Sequence, residues 1–315
     1  MAEGQVVEAI QASGYPLQLV VADILRQRNL NVREEWSYID RESGKLRALD
    51  LYAQEWLRDF AADQPRVTPE LHLFIECKQS RLPYVFFKAR QTVWLPGFPL
   101  ITGLASDSMS VVTDGVRDSW SFSFAEALGL RNHSFFSPFA FSSTFTRVEQ
   151  RSKSVTLSGS EIYNDVIMPL ISALEHHRAR ELRIRAVAGK DRFYVANAVL
   201  AVALLDAPML TADIHGGSPV VQMTPWVRVV RHEARTNVPE GHGPFADPSE
   251  FYGIDVVHRA FLETYLDSQV LPFADLLKER VMAHQEELLT GTGFAPGLAN
   301  ERPPDVGAVL RPISA

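Results

Sequence analysis

The chain has 315 residues, of which 46% are hydrophobic and 22% charged, and this composition predicts a soluble globular protein with enough length for a large core. Its formal net charge of −7 argues against a protein that holds nucleic acid through a broadly basic surface, so such a partner would have to be bound locally. The single cysteine, Cys77, excludes an internal disulfide framework and a zinc site built from several thiolates.

The N-terminal segment MAEGQVVEAIQASG lacks the basic and apolar regions of a signal peptide. No later segment approaches the roughly 18 to 20 uninterrupted apolar residues that are needed to span a bilayer. We therefore expect a cytoplasmic protein with no membrane partner.

The first part of the chain has the pattern of a helix followed by three strands. Two extended segments, residues 32–40 and 46–56, flank RESGK, whose Ser-Gly pair predicts the turn of a hairpin. LHLFIECKQS, residues 71–80, predicts a third strand rich in large apolar residues. The preceding helix is predicted over residues 15–30, where apolar side chains recur at helical spacing: Leu17, Val20, Val21, Ile24 and Leu25.

The pattern loosens after this strand. Prolines interrupt residues 81–158, which are rich in aromatic side chains, and we expect an irregular insertion there. A helix is predicted over residues 160–177, with a kink at Pro169. The apolar run at 193–206 predicts a buried central strand.

The last third of the chain predicts one more strand, at residues 220–230, and C-terminal helices within residues 254–289. Gly and Pro are concentrated in the tail, residues 291–315, which we expect to be loose. Together these elements predict an α/β fold with a mixed central sheet, in which residues 1–290 form a single domain.

The tripeptide Glu76-Cys77-Lys78 ends the third predicted strand. Side chains alternate along a strand, so Glu76 and Lys78 share one face and Cys77 points to the other. Asp50 lies in the middle of ALDLY on the second strand, where it would share a face with Tyr52, and it would meet Glu76 if the two strands are neighbours. Two carboxylates with a backbone carbonyl between them form an oxygen ligand set suited to Mg²⁺ or Mn²⁺, with Lys78 beside it.

This arrangement resembles the PD-(D/E)xK nuclease superfamily, whose restriction-endonuclease-like core is a helix, a three-stranded meander, a helix and another strand. The residues that carry the resemblance are Asp50 in ALD and Glu76, Cys77 and Lys78 in ECK, and Leu49 stands where proline is common. The resemblance covers the helix, hairpin and third strand, and it continues more loosely through the predicted helix and strand that follow the insertion.

The resemblance implies metal-dependent hydrolysis of phosphodiester bonds. Asp50, Glu76 and the backbone carbonyl of Cys77 would be ligands of Mg²⁺ or Mn²⁺, and Lys78 would be the catalytic lysine. Nucleic acid, with DNA as the expected form, would be the substrate, in a setting such as defence or repair.

Two glutamines are further candidates for the site. Many members of the superfamily carry a glutamate on the first helix, whereas the corresponding positions here offer Gln18 or Asp23, with Glu8 upstream. Gln18 would act as a neutral ligand or would hold a water, and Gln79 follows the ECK tripeptide as a polar residue that can reach into the site.

Each candidate residue also has a structural interpretation. Glu76 and Lys78 can be an exposed ion pair worth about 0 to 1 kcal/mol, and Asp50 can be a turn or edge residue. Cys77 is interpreted as a small buried hydrophobe. Asp206 is interpreted as turn chemistry. The nine histidines show no metal-binding spacing and receive no role.

The densest basic stretch is HHRARELRIR, which contains Arg178, Arg180, Arg183 and Arg185. These arginines can contact backbone phosphates, as can Arg228 and Arg231, or they can be the solvated end of a helix, where cations are favourable. No Gly-rich phosphate loop is present, so ATP hydrolysis and dinucleotide binding are not expected.

Three functions stay open at this point. A metal-dependent nuclease is the first, and its acidic charge suggests that a protein partner or self-association delivers the substrate. The second is a nuclease-like fold that no longer cuts and serves as a binding or scaffolding subunit. The third is hydrolysis of another phosphate ester, such as a nucleotide signal.

Overall fold

The computed structural model describes residues 3–40, 43–58, 65–90, 95, 97–113, 119–151, 154–159, 161–187, 193–215, 217–232 and 251–295. Its helices are α1 Glu3–Ala12, α2 Tyr15–Arg26, α3 Phe124–Ala127, α4 Glu161–Val166, α5 Met168–Val187, α6 Leu262–Tyr265, α7 Leu271–Ala283 and α8 Gln285–Thr290. A π-helical turn, Leu266–Val270, joins α6 to α7. No helix within these ranges has the length and apolarity to cross a membrane.

The strands divide between a large mixed sheet and a small one. They are β1 Asn31–Ile39, β2 Leu46–Trp56, β3 Val67–Gln79, β4 Tyr84–Lys88, β5 Leu100–Thr102, β6 Met109–Thr113, β7 Ser119–Phe122, β8 Phe141–Arg151, β9 Ser154–Leu157, β10 Tyr194–Asp206, β11 Met209–His215, β12 Ser218–Met223, β13 Trp226–His232, β14 Phe251–His258 and β15 Thr292–Ala295. The large sheet has the order β1-β2-β3-β10-β14-β13-β8-β4-β11-β12, with β5 added to β10 and β9 added to β8. This architecture confirms the predicted α/β class with a mixed central sheet.

The strands β1, β2 and β3 form an antiparallel meander. The next neighbour, β10, runs parallel to β3 over the whole length of both strands, from Tyr194 opposite Val67 to Asp206 opposite Gln79. Both strands are buried along most of their length, so β10 has a nearly continuous apolar sequence, whereas β3 also buries the polar side chains Thr68, Glu70 and His72.

The large sheet has a hydrophobic core on each side. On face A, α2 and the C-terminal helices cover side chains such as Leu51, Ile75 and Leu204. On face B, α4 and α5 cover side chains such as Phe74 and Ala203. The sheet is therefore buried between two layers.

The first predicted helix is confirmed as α2, with one correction to its buried side. Leu17, Val21 and Leu25 are buried as expected, but Val20 is 39% exposed. Gln18 is buried in its place, which turns its amide toward the end of the hairpin. The predicted hairpin is confirmed as β1 and β2, and the predicted third strand as β3.

Residues 81–158 are more regular than expected. Their strands β4 and β8 lie inside the large sheet, and β5 pairs with β10. The expectation of irregular structure was therefore wrong for these parts, because Pro83, Pro99 and Pro138 lie between strands rather than within them.

Three differences occur in the later elements. The predicted helix at 160–177 is broken at Ile167, two residues before Pro169, and α5 continues to Val187. The predicted strand at 220–230 is two strands, β12 and β13, separated by Thr224 and Pro225. Residues 254–258 belong to the buried strand β14 rather than to a helix.

The tail expected to be loose begins with strand β15, which pairs with β6 in the small sheet. Residues 296–315, the rest of the predicted tail, lie outside the described residues. The predicted central strand at 193–206 is confirmed as β10.

A buried ion pair joins two central strands to the C-terminal helices. Arg228 on β13 donates from Nε and Nη2 to the Asp255 carboxylate on β14, at 2.8 and 2.9 Å. Asp255 also accepts from Trp226 Nε1 at 2.9 Å and from the Tyr265 hydroxyl on α6 at 2.8 Å. Both charged side chains are 1% exposed, so Arg228 is a structural residue and does not serve the phosphate contact suggested by the sequence.

We expect Asp255→Asn to lower the free energy of unfolding by about 3–5 kcal/mol, because it leaves the buried Arg228 charge uncompensated. The matched control is Asp23→Asn, which breaks an exposed pair with Arg26 and should cost under about 1 kcal/mol. Chemical denaturation of both variants measures the difference. Equal, small losses in the two variants would show that the buried pair contributes little.

Candidate active site

The two candidate carboxylates lie on adjacent strands, just beyond the last residue pair that joins β2 to β3. The pairing of β2 with β3 ends at Leu51 opposite Ile75, and one further step puts Asp50 opposite Glu76. The Cys77 backbone N–H donates to Asp50 Oδ2 at 2.7 Å. The structure therefore brings Asp50 next to Glu76, through the strand register and this backbone hydrogen bond.

Near Asp50 the side chains of β2 no longer alternate regularly between the two faces of the sheet. Leu49 and Tyr52 both pack on face B, whereas Leu51 packs on face A, so the regular alternation of the strand is broken between Leu49 and Leu51. Glu35 on β1 lies opposite Asp50, between the pairs Glu34 with Leu51 and Trp36 with Leu49. This irregularity lets the Asp50 side chain reach across to β3 instead of following the strand.

The third charged residue, Lys78, is directly bonded to Glu76. Lys78 Nζ lies 2.5 Å from Glu76 Oε1, and the side chains are 31% and 8% exposed respectively. Both project on face B, while Cys77 packs into the face A core as predicted. Lys78 thus reaches solvent from a carboxylate that is almost entirely enclosed.

Burial dominates the electrostatics of the site. Burial and the charge of Asp50 raise the pKa of Glu76 to about 7, although the Lys78 ammonium opposes this shift. Burial also raises the pKa of Asp50, against the hydrogen bond from Cys77 and the charge of Lys78. Burial lowers the pKa of Lys78, but Glu76 and Asp50 outweigh it, and the net direction is upward. Two carboxylates with one ammonium favour a further cation.

The donor atoms of this site fit a hard divalent cation. Asp50 and Glu76 offer carboxylate oxygens, and the Cys77 carbonyl is directed to the same side as its N–H, toward Asp50. Within the described ranges no three His, Cys, Asp or Glu side chains converge as a metal-binding group. Carboxylate and carbonyl oxygens are the ligand types that Mg²⁺ takes in proteins.

The Cys77 thiol is not a candidate nucleophile or ligand. Burial, with the nearby charges of Asp50 and Glu76, raises its pKa well above the ordinary value. A thiol that stays protonated in an apolar core acts as a small hydrophobe.

Gln18 lies at the edge of the site and acts on the backbone. Its Nε2 donates to the Asp50 carbonyl at 2.8 Å and to Glu35 Oε1 at 3.3 Å. Gln18 thus fixes the position of Asp50. Gln79 is exposed, and alternation places it on the side of Cys77, so the structure does not bring it to the carboxylates.

The arginines of α5 lie away from the carboxylates. His177, on the same helix, packs against the His72 ring at 5.2 Å, four positions before Glu76 on β3. Arg180 and Arg183 are exposed and Arg178 is half-buried, all further along α5 from the site. Arg185 belongs to α5, but its side chain lies outside the described residues. Their predicted contact with phosphates stays a prediction.

Glu35 is a site residue that sequence reasoning missed. Its φ of 49° is unusual for a residue with a side chain, and its charge contributes to the raised pKa of Asp50. The signal was present in the hairpin register, because the turn closed by Asp40 N–H and the Lys45 carbonyl places Glu35 opposite Asp50. Strand periodicity alone does not supply that register.

No family model, no curated protein and no solved structure matches this chain. The chemistry of the site therefore has to be judged from its own residues.

In metal-free protein we expect ionisation of Glu76 to cost stability. The pKa of Glu76 is about 7 in the folded chain and 4.5 ordinarily, so the folded state holds the proton more tightly and stability falls as pH rises through this window. The free energy of unfolding falls by about 3 kcal/mol over this pH window. Glu76→Gln should remove this contribution, whereas the exposed Glu3→Gln should not.

The measurement is chemical denaturation in EDTA at several pH values between about 5 and 7.5. Burial holds the pKa of His177 near 3, below its ordinary 6.5, so His177 changes stability in the opposite direction, and the readout is the difference between wild type and Glu76→Gln. If the free energy of unfolding changes with pH in the same way in these two proteins, ionisation of Glu76 does not destabilise the fold.

Proposed function

We propose that this chain is a metal-dependent nuclease that hydrolyses phosphodiester bonds, with DNA as the expected substrate. The observation that carries the proposal is the meeting of Asp50 and Glu76 on adjacent strands, where the pairing of β2 with β3 ends, with Lys78 Nζ at 2.5 Å from Glu76 Oε1. A lysine beside two largely enclosed carboxylates gives a site that can hold a cation and also donate to a phosphate.

The order of elements supports assignment to the PD-(D/E)xK superfamily. The helix α2, the meander β1-β2-β3, the helix α5 and the strand β10 follow one another in the order of the restriction-endonuclease-like core. They also have the neighbour order β1-β2-β3-β10, with β10 parallel to β3. Residues 81–158 would then be an insertion between β3 and the helices that precede β10, within a single domain of residues 1–290.

Each residue has a role in this proposal. Asp50, Glu76 and the Cys77 carbonyl would hold Mg²⁺ or Mn²⁺, which supplies Lewis-acid stabilisation of a phosphodiester oxygen. The Lys78 ammonium would orient the attacking water or stabilise the negative charge that develops on the phosphorus oxygens. Gln18 would hold the Asp50 backbone in register.

The acidic character of the chain bears on substrate delivery. A net charge of −7 gives little long-range attraction for a polyanion. We therefore propose that a protein partner or self-association contributes to substrate capture in the cytoplasm, in defence or repair.

The first test is cleavage of labelled linear, supercoiled and single-stranded DNA and RNA with Mg²⁺ or Mn²⁺. We expect cutting that stops in EDTA and falls about 10²- to 10³-fold in Lys78→Ala, because the charge it stabilises arises in the transition state. The matched control is Lys45→Ala in the exposed hairpin turn, which should cut as wild type.

Thermal unfolding of both variants must show a folded protein before rates are compared. Cutting by folded Lys78→Ala at the wild-type rate would remove Lys78 from the mechanism. Equal rates in both Lys78→Ala and Asp50→Asn would reject the nuclease assignment.

A scaffold that does not cut is the second candidate function. The observations that favour it are the neutral Gln18, which bonds the Asp50 backbone, and the direct bond from Lys78 to a carboxylate oxygen that a cation would use. In such a protein the Glu76–Lys78 ion pair would have a structural role and would bind no metal.

Metal titration by calorimetry separates these two functions. The nuclease proposal predicts binding of Mg²⁺ or Mn²⁺ that is lost in Asp50→Asn, because the substitution removes one anionic ligand. Asp23→Asn removes an exposed carboxylate on α2 and should leave metal binding unchanged. Absence of binding at millimolar metal in wild type would favour the scaffold.

A further inference from the structure

A cavity of about 420 Å³ opens between β4, β8, β9 and α4. This volume lies within the range of pockets that hold small organic groups. Neither Asp50, Glu76 nor Lys78 lines it, so the candidate active site leaves it without a role.

Aromatic rings form much of the cavity wall. Phe87, Phe145 and Tyr163 all line it, and Phe145 is held in place by stacking on the buried Phe86, with ring centroids 5.3 Å apart. The Arg231 guanidinium lies 4.0 Å from the centre of the Tyr163 ring. Rigid rings of this kind provide flat surfaces on which a planar heterocycle can stack.

The polar groups of the wall are hydroxyls and a cation. Ser143, Thr144 and Ser158 contribute hydroxyl groups, and Arg231 contributes positive charge. None of the described residues that line the cavity is acidic, in contrast to the carboxylates of the active site. A ligand with both a planar ring and a negative charge is therefore compatible with this wall.

The cavity lies on the same face of the sheet as Glu76 and Lys78. Phe145 and Tyr163 pack against the face B core, which also contains Phe74 beside Glu76. The helix α4 carries Tyr163 in the cavity wall and packs against β8, which supplies Ser143, Thr144, Phe145 and Thr146 to the same wall.

The backbone also connects the cavity to the end of β3, where Lys78 lies. β10 passes into β11 through Ala207 and Pro208, and β11 pairs with β4. Ser80 N–H donates to the Asp206 carbonyl at 3.1 Å and Tyr84 N–H to the Pro208 carbonyl at 2.9 Å, so the end of β3 lies next to the start of β4. Lys78 therefore lies close to the start of β4, the strand that carries Phe87.

We propose that this cavity binds one unpaired nucleobase of a nucleic-acid strand whose backbone crosses the site at Lys78. The proposal rests on the nuclease function and narrows its substrate to single strands or strands with an unpaired base. A base inside a duplex must first be unstacked and unpaired, at a cost of a few kcal/mol, whereas an unpaired base enters directly.

Gly159 provides a way to fill the cavity without disturbing the fold. It lines the cavity, its backbone is outside the left-handed region, and a Cβ added there would meet no heavy atom within 4 Å. We therefore expect Gly159→Trp to fold and to occupy the cavity with its side chain. Gly159→Ala is the matched control, because its methyl group leaves the cavity open.

The experiment compares labelled single strands of DNA that are abasic at every position with strands that carry one central base. Binding is measured by fluorescence anisotropy with Ca²⁺, so that a hard cation can offset the charge of the carboxylates, and gel electrophoresis checks that the strands stay intact. In wild type and Gly159→Ala we expect the single base to tighten binding about 5- to 100-fold, the contribution of one stacked base. In Gly159→Trp this gain should be lost, while the affinity for the abasic strand is retained.

Pairing the central base with a complementary strand should also remove the gain. The proposal is overturned if wild type gains nothing from the base, if folded Gly159→Trp keeps the gain, or if neither strand binds. These outcomes are independent of cutting. If the single base tightens binding in a protein that never cuts, the nuclease function alone is rejected. If the protein cuts but the base does not tighten binding, the base pocket alone is rejected.

Discussion

The parallel pairing of β3 with β10 is the constraint on which the rest of the structure depends. The two strands run side by side over 13 residues, and each is covered by helices on face A and face B. A strand buried on both faces can carry a charged side chain only where a charged or polar partner, water or a bound ion meets it. Glu76 and Lys78 lie toward the end of β3, next to the point where β10 turns into β11.

Holding Asp50 and Glu76 together works against folding, since both carboxylates lose water and repel each other. The surrounding structure offsets this cost locally. The Cys77 backbone N–H donates to the Asp50 carboxylate, Lys78 contributes a charge beside Glu76, and Gln18 holds the Asp50 carbonyl. Destabilised charged groups held by several independent contacts are typical of sites that bind or react, because an apolar pair would serve stability better.

Local pattern predicted α2, the meander β1 to β3, the strand β10 and the adjacency of Asp50 and Glu76. These features depend on helical or strand periodicity within short segments, which a sequence shows directly. The pairing of β4 and β8 inside the large sheet depends on contacts far apart in the chain, and it was not predicted. Arg228 illustrates the same limit. Its guanidinium lies 4.1 Å from the Phe98 ring and 4.5 Å from the Phe135 ring, and these partners are about a hundred residues away, so its basic side chain suggested a surface role.

The acidic net charge of the chain, the carboxylate site and the aromatic cavity are compatible with a single way of binding nucleic acid. The carboxylate site and the cavity both lie on face B. At the carboxylates a phosphate is repelled until a cation is present, so charge alone gives the site no affinity for a polyanion. In the cavity beside Phe145 and Tyr163, stacking gives affinity that depends on ring contact more than on net charge. A protein of this kind would select its substrate by contact over a few nucleotides, and its affinity would depend less steeply on salt than that of a protein with a broad basic surface.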